Sequence, residues 1–208
     1  MAAHVSVPPP LRILIVGAGL CGLAAAASLR RQGHRVDVFE SSLMNKEIDA
    51  AITVQGNAIR TGWFCHRTDL HDELKRLAIG QDETGPPASL HLGQEVVSCD
   101  PVAGTLTLKN GAVHQGDLII GADGIHSTIR TSVLGYVQKA LPSGMSTFRC
   151  LFDATKLEGL ADMDWFSEGI SGARVVLSPE ERFQMLFLFP CRRGTLINVV
   201  AHHVDDRD

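Results

Sequence analysis

The sequence predicts an α/β fold, in which a Rossmann-like domain with a β-meander is followed by part of an antiparallel sheet. Three observations predict it. A buried strand, a glycine-rich turn and an alanine-rich helix follow one another within residues 11–40. A second strand, glycine turn and helix occupy residues 116–134. From Thr147 onward the pattern changes to short strands separated by turns, which favours antiparallel pairing.

The first pattern fits a dinucleotide-binding turn. Ile13 to Val16 predict a buried strand, and Leu20 to Gln32 predict the helix that follows. The glycines between and within them provide a tight turn, room for a pyrophosphate and close helix packing. These glycines are Gly17, Gly19 and Gly22. Glu40 ends the next strand, roughly 20 residues further on, where this fingerprint places a carboxylate for a ribose.

The same apolar stretch has an alternative interpretation as a signal peptide. Residues 11–29 are apolar, and Ala24 to Ala27 resemble a small-residue cleavage site. However, residues 1–10 carry little positive charge, and the stretch contains Arg12 and spaced glycines. We therefore expect a cytoplasmic protein without a membrane span, in which residues 1–10 form a disordered tail.

The second pattern has the form of another ligand-binding turn. Leu118 to Ile120 predict a strand buried on both faces, which stops at Gly121-Ala122-Asp123-Gly124. Ser127 then caps a short helix that reaches Leu134. Glycines with one carboxylate before a helix suit a phosphate and a sugar hydroxyl. The alternative is an ordinary connection between a strand and a helix.

Composition narrows the class of protein. The 208 residues carry a net charge of −4 and show no basic patch, so we expect no nucleic-acid partner. The five cysteines are odd in number and never form a CxxC motif, which favours reduced thiols over disulfides or a zinc site. We predict no metal site, and we interpret His202-His203 before Asp205 as a polar tail.

The middle of the chain predicts a helix and the meander. Thr68 or Asp69 can cap a helix, which would place Arg67 just ahead of it with its guanidinium directed toward phosphate or ribityl oxygens. The alternative for Arg67 is a surface ion pair with Asp69 or Glu73. The helix would bury Leu70, Leu74, Leu77 and Ala78 on one face. Strands are predicted at Ser89–Asp100 and Thr105–His114, with a hairpin turn at Asn110-Gly111.

Four strands are predicted in the last third of the chain, with turns at Pro179-Glu180 and Arg192-Arg193-Gly194. The strands are Thr147–Phe152, Ala173–Ser178, Phe183–Phe189 and Thr195–Ala201. Their phenylalanines are interpreted as core residues rather than as contacts of an aromatic ligand. Arg149 lies on the first of these strands, where it either faces a ligand or is an outward-facing surface residue.

Three motifs together carry a family resemblance. They are the glycine turn with Glu40, the stretch Cys65-His66-Arg67-Thr68-Asp69-Leu70-His71, and GDLIIGADGIHSTIR at residues 116–130. From about Leu11 onward the chain resembles the FAD-dependent aromatic hydroxylases, the single-component flavoprotein monooxygenases, especially their salicylate-hydroxylase-like branch. The resemblance implies an FAD-binding domain over residues 11–145 and a partial substrate-binding sheet over residues 146–208.

The resemblance also implies roles for individual residues. The first glycine motif and Glu40 would hold the ADP part of FAD, and Ala51 and Arg67 would contact the cofactor as well. Asp123-Gly124 would lie near the pyrophosphate and serve both FAD and NAD(P)H. The implied reaction is hydroxylation of an aromatic or phenolic small molecule with NAD(P)H and O2. Arg149 would be the catalytic cation that stabilises a phenolate.

The chain departs from the family pattern in several places. Family members run to about twice this length, and their second glycine–aspartate motif is absent before Asp208. Several tens of family residues are missing between Arg60 and His66. Asp49 stands where relatives favour glycine, which would place a carboxylate near phosphates. Gly56 stands where relatives often have proline.

These departures leave two alternatives open. The chain could be a truncated, catalytically inactive relative that binds FAD weakly or not at all. Its exposed apolar edges would then need a partner chain to cover them. The chain could also be an NAD-dependent dehydrogenase, because Glu40 would bind an NAD ribose equally well. The motif GDLIIGADGIHS and Arg67 argue against that second alternative.

Overall fold

The structure is a computed structural model that describes residues 9–44, 51–54, 63–160, 172–178 and 184–205. In chain order its elements are β1 (Arg12–Val16), α1 (Leu20–Arg31), β2 (Arg35–Phe39), β3 (Ala51–Val54), β4 (Trp63–His66), α2 (Arg67–Ile79), β5 (Ser89–His91), β6 (Val96–Asp100), β7 (Thr105–Leu108), β8 (Val113–Gln115), β9 (Leu118–Gly121), α3 (Thr128–Leu134), β10 (Met145–Asp153), β11 (Arg174–Leu177), β12 (Gln184–Cys191) and β13 (Leu196–Val204). None of the described helices is long and apolar enough to cross a membrane.

The chain divides into two compact units. Unit 1 contains residues 1–46 and 71–140, and unit 2 contains residues 47–70 and 141–208. The sequence prediction assigned residues 11–145 to a single domain, whereas residues 47–70 and 141–145 of that range belong to unit 2. The larger difference is at residues 47–70. The reason is packing, because the β3–β4 hairpin lies against the sheet of unit 2, where Phe64 stacks on Phe189.

Unit 1 is built on a parallel sheet in the order β5-β2-β1-β9. Strand β1 is central, and its residues alternate between two apolar clusters. Ile13 and Ile15 pack with α1 and α2, whereas Leu14 and Val16 pack with residues of β6, β7 and α3. The continuous apolar run in β1 therefore reflects a strand that is covered on both faces, as predicted.

Two features of unit 1 differ from the prediction. Strand β9 was expected to be buried on both faces, but Leu118 is 42% exposed because β9 is an edge strand among the described strands. The segment from Ser89 to His91 pairs in parallel with β2 and therefore belongs to the Rossmann-like sheet rather than to the meander. The meander itself is β6-β7-β8, and its predicted Asn110-Gly111 turn is confirmed.

Helix α2 starts earlier than the sequence indicated. The prediction placed a cap at Thr68 or Asp69, whereas the helix begins at Arg67, which is therefore its first residue. Leu74, Leu77 and Ala78 pack on the core cluster of the sheet, as predicted. The helix of the second glycine motif is also confirmed, since α3 follows Ser127, whose Oγ accepts from the N–H of Arg130 at 2.9 Å.

Unit 2 contains an antiparallel sheet in the order β10-β13-β12-β11. This confirms the four strands predicted after Thr147. The turn between β12 and β13 holds Arg192 and Arg193 at φ +47° and +58°, and Gly194 follows at +84°. His202 and His203 lie within β13, so the predicted polar tail is wrong at these residues. The turn predicted at Pro179-Glu180 lies outside the described residues.

The buried guanidinium of Arg30 connects α1 to the end of α2 and to the segment that follows it. Arg30 is 0% exposed, and its guanidinium donates only to backbone carbonyls among its described hydrogen bonds. The acceptors are the carbonyl oxygens of Leu77, Ala78, Gly80, Glu83, Gly85 and Pro86, at 2.7 to 3.5 Å. Arg30 thus satisfies the carbonyls at the end of α2, which cannot find partners within the helix.

We expect Arg30→Met to lower the free energy of unfolding by about 3 kcal/mol or more, because several carbonyls lose their donor. Arg31→Met is the matched control on the same helix. Its guanidinium is about half exposed and binds Glu83 at 3.2 Å, so its loss should cost less than about 1 kcal/mol. Urea unfolding of both variants measures the difference, and equal stabilities would refute this role of Arg30.

Candidate functional site

A cleft of about 580 Å³ lies in unit 1 at the carboxyl ends of β1, β2 and β9. Its lining includes five of the residues that the sequence singled out for a cofactor. They are Gly17, Gly19, Glu40, Asp123 and Gly124. The two glycine motifs, about 100 residues apart in the chain, therefore meet at one site. This edge of a parallel sheet is where open α/β folds bind ligands.

The glycine turn has no space for side chains. Gly17 has φ +98°, and a Cβ added to it would collide with the carbonyl oxygen of Ala122. A Cβ on Gly22 would in turn collide with the carbonyl oxygen of Gly17. The N–H of Gly17 donates to the carbonyl of Phe39 at 2.8 Å. The backbones of β1, α1 and the loop after β9 therefore pack directly against one another, with no side chain between them.

The N-terminus of α1 is suited to a negative charge. Gly19 is its N-cap, so no side chain caps the helix, and its first turn contains no acidic residue. The helix has 12 residues, so its N–H groups and its dipole give this end a partial positive charge. Gly19 also lines the cleft. A phosphate is therefore the ligand group that this end of the cleft favours.

Glu40 is held in place by the turn that it faces. Its Oε2 accepts from the N–H of Ala18 at 2.8 Å. Its Oε1 accepts from the N–H of Ser42 at 2.8 Å and from the Oγ of Ser41 at 3.2 Å. A carboxylate has about four acceptor positions, so capacity for a ligand hydroxyl remains. Glu40 thus presents a fixed acceptor to the cleft.

Asp123 has a different set of partners. One carboxylate oxygen accepts from the Oγ of Ser127 at 2.5 Å. The other accepts from the N–H groups of Thr128 and Ile129, at 2.7 and 3.1 Å. The side chain therefore caps α3 and shapes the loop, while Gly124 takes φ +74° beside it. The motif is therefore an ordinary connection between a strand and a helix, as the alternative interpretation expected, and the same residues also line the cleft.

The remaining predicted residues lie in unit 2. Ala51 is buried in β3, and its N–H donates to Oδ1 of Asn198 at 3.3 Å. Arg67 is a partly buried residue at the start of α2. Arg149 is an exposed residue of β10. Asp49 and Gly56, at which the chain departs from the family pattern, lie outside the described residues.

The surface pairs near the start of α2 involve other arginines. Asp69 receives two hydrogen bonds from the guanidinium of Arg192, which hold the pKa of this carboxyl below its usual value. Glu73 receives two from Arg76, at 2.9 and 3.0 Å. Both acids proposed as surface partners of Arg67 thus bind another arginine. Each pair is about half exposed and contributes little to stability.

Three of the five cysteines are poorly suited to act as nucleophiles. All five are free thiols. Burial raises the pKa of Cys65, Cys99 and Cys191, so these three are protonated at neutral pH. Across the described part of the chain, no group of three or more His, Cys, Asp or Glu side chains could hold a metal ion.

Sequence reasoning missed one residue beneath the cleft. His71 is named in the sequence analysis only as part of the Cys65–His71 motif, without a role of its own, yet it is 1% exposed and its Nε2 lies 3.0 Å from the carbonyl oxygen of Ala18. The available signal was position, because His71 precedes Leu74 by three residues and Ala78 by seven on the buried face of α2. That spacing indicates burial but does not identify the hydrogen-bond partner.

Gly17→Ala should lower the free energy of unfolding by about 3 kcal/mol, through an unfavourable positive φ and the collision with Ala122. Gly111→Ala is the matched control, since Gly111 also has a positive φ, +86°, but has open space around it. It should cost about 1 kcal/mol from conformation alone. Chemical denaturation gives both values, and equal costs would argue against the close approach at Gly17.

The chain is similar to known proteins of one class. A family model of the NAD(P)-binding Rossmann-like domain matches residues 15–42, which contain the glycine turn and Glu40. Hispidin-3-hydroxylase of Neonothopanus nambi is 36% identical, over 95% of this chain and 60% of that protein. The FAD-dependent monooxygenase cfoG of Aspergillus candidus is 32% identical, over 96% of this chain and 57% of that protein.

Solved structures show the same fold. The tetrameric form of 2-methyl-3-hydroxypyridine-5-carboxylic acid oxygenase superposes with a TM-score of 0.77 at 23% identity, over 97% of this chain and 60% of that chain. CtdE in complex with FAD gives 0.72 at 19% identity, over 96% and 61% of the two chains. A salicylate hydroxylase substrate complex gives 0.67 at 21% identity, over 96% and 57%.

These findings confirm the predicted fold and the predicted resemblance to FAD-dependent hydroxylases. The chain spans about 60% of the length of the first of these curated relatives. The alignment with hispidin-3-hydroxylase covers 251 positions, more than the 208 residues of this chain, so that relative contains residues that this chain lacks. Their predicted place, between Arg60 and His66, includes residues outside the described part of the chain and stays a prediction.

Proposed function

We propose that this chain, which is homologous to FAD-dependent monooxygenases along nearly all of its length, binds FAD and hydroxylates an aromatic or phenolic small molecule with NAD(P)H and O2. The observation that carries this proposal is the meeting of the glycine turn, the uncapped α1 N-terminus and the Glu40 carboxylate at one cleft. A cytoplasmic location and a partner chain are part of the same proposal.

The residues of the cleft fit the adenosine diphosphate part of FAD. The turn from Gly17 to Gly22 leaves room for phosphates, and the α1 N-terminus would bind their charge. Glu40 would accept hydrogen bonds from the ribose hydroxyls, using the acceptor capacity that its backbone partners leave. The loop from Asp123 to Gly124 would close the other side of the pyrophosphate. Bound FAD would supply the redox chemistry.

Unit 2 offers a face suited to an acidic aromatic ring. In the sheet register Arg149 pairs with Val200 and Thr147 pairs with His202, so Arg149, Thr147 and His202 share one face. The Oγ1 of Thr147 lies 2.8 Å from Nδ1 of His202. Phe187 lies on the same face, since it also pairs with Val200. A face that carries an aromatic ring and a guanidinium fits a phenolate, which Arg149 would stabilise.

Two other functions remain as outcomes of the test. A relative that binds no FAD would be catalytically inactive as a flavoenzyme. An NAD-dependent dehydrogenase would use the same turn and Glu40, because both dinucleotides contain an adenosine ribose. Retention of flavin after desalting favours the monooxygenase over both alternatives.

The first test is retention of FAD. We expect the purified protein to keep the visible absorption of oxidised flavin after incubation with FAD and desalting. Glu40→Gln should raise the FAD dissociation constant by about tenfold or more, since an amide N–H2 replaces one acceptor oxygen and the charge is lost. Quenching of flavin fluorescence on binding measures both constants.

The matched control for Glu40 is Glu73→Gln on the exposed face of α2, where the side chain binds only Arg76 among its described contacts. Its FAD affinity should equal that of the unmodified protein. Failure of the unmodified protein to bind FAD would contradict the proposed function. Equal affinities of Glu40→Gln and the unmodified protein would contradict the role of Glu40.

A second test concerns Arg149. Salicylate serves as the probe, and its binding to the FAD-loaded protein is followed by the change in flavin absorption. Arg149→Met should weaken salicylate binding by about tenfold through loss of a charge-assisted contact, and should leave FAD affinity unchanged. Arg174→Met is the control, because Arg174 pairs with Leu188 and lies on the opposite face of the sheet. Equal loss in both variants would refute a specific role for Arg149.

A further inference from the structure

We propose that His71 is a positioning residue that holds the glycine turn in the geometry required for dinucleotide binding. The ligand in this proposal rests on the proposed function, whereas the contact on which it depends does not. His71 lies on the buried face of α2, and its Nε2 is 3.0 Å from the carbonyl oxygen of Ala18. Ala18 lies between the first two glycines of the turn.

The contact defines the proton on the imidazole. A carbonyl oxygen can only accept, so the Nε2 of His71 carries the hydrogen and donates it to Ala18. In the neutral ring, Nδ1 then has a lone pair and no hydrogen. The Oδ1 of Asp72 lies 3.9 Å from Nδ1, which is beyond hydrogen-bond distance. Among the residues that the structure describes, the bond to Ala18 is therefore the only hydrogen bond of this buried side chain.

Ala18 is fixed from both sides. Its carbonyl accepts from His71, and its N–H donates to Oε2 of Glu40 at 2.8 Å. These groups belong to the two peptide units on either side of the Ala18 Cα, so the two bonds together restrain both of its backbone dihedrals. His71 and Glu40 thus determine the path of the turn through one residue.

The carbonyl of Ala18 shares its peptide unit with the N–H of Gly19. In a trans peptide these two groups point in opposite directions. By binding the carbonyl on the α2 side, His71 orients the Gly19 N–H away from α2. Gly19 is the N-cap of α1 and lines the cleft, so the direction of this N–H matters for a phosphate.

Packing alone does not account for an imidazole at this position. A leucine would fill a similar space against the neighbouring apolar residues without burying a polar ring. The proposed role of His71 therefore depends on an N–H donor at the position of Nε2. This gives a test that separates hydrogen bonding from space filling.

The test compares His71→Gln, His71→Asn and His71→Leu. The glutamine amide N–H2 reaches to about the place of Nε2, whereas the asparagine amide ends near Nδ1 and leucine has no donor. The first readout is hydrogen exchange of the amides of residues 17–20 in the protein without added FAD. The second is the FAD dissociation constant from flavin fluorescence.

We expect His71→Gln to stay within about threefold of the unmodified protein in both readouts. In His71→Asn and His71→Leu the Ala18 amide, which donates to Glu40, should exchange at least about tenfold faster, and FAD should bind at least about tenfold more weakly. Because leucine fills about the space of the imidazole, these losses in His71→Leu would report the missing donor rather than a cavity. Unchanged exchange and affinity in His71→Leu would overturn the proposal, as would equal losses in His71→Gln and His71→Asn.

The two proposals fail in different ways. If the unmodified protein retains no FAD, the proposed function is wrong, while the exchange rates still decide whether His71 holds the turn. If the unmodified protein binds FAD and His71→Leu binds it equally well, the proposed function stands and the role of His71 in binding is wrong.

Discussion

The close approach of three backbone segments at Gly17, Gly22 and Ala122 is the constraint on which the cleft depends. A single Cβ at either glycine would meet a carbonyl oxygen. Because Gly17 and Gly22 have only hydrogens in place of a side chain, β1 can turn directly into α1 beneath the loop that follows β9. That arrangement places the end of β2, with Glu40, opposite the loop of Asp123. A wider crossing would separate the groups that line the cleft.

Two buried basic side chains, one from α2 and one from α1, connect this crossing to α2. His71, near its start, donates to the turn itself. Arg30, from α1, donates to the carbonyls of Leu77 and Ala78 at its end. Both donors use backbone carbonyls rather than carboxylates, so each ties a segment of chain in place. The turn is consequently supported by α2 from one side and by Glu40 from the other.

Local spacing explains what the sequence could predict. The glycine turn, Glu40 and the Ser127 cap are defined within a few tens of residues, and the structure contains all three. The acceptor of His71 could not be predicted, because a backbone carbonyl 53 residues away has no side-chain signature. The exposure of Leu118 depends on what lies beside β9, and neighbours in a sheet are not encoded in the strand.

The two carboxylates of the cleft illustrate how similar motifs divide their roles. Glu40 comes directly after β2 and Asp123 lies in the turn after β9, so sequence alone assigns both to a ligand. Asp123 accepts from Ser127, Thr128 and Ile129, and these donors offset a charge that would otherwise repel a phosphate. Glu40 accepts from Ala18 in the glycine turn and from Ser41 and Ser42 just after the strand, and it keeps capacity for a hydroxyl. The two carboxylates therefore differ in what their donors belong to: those of Asp123 lie in and before α3, whereas Glu40 binds the glycine turn at Ala18.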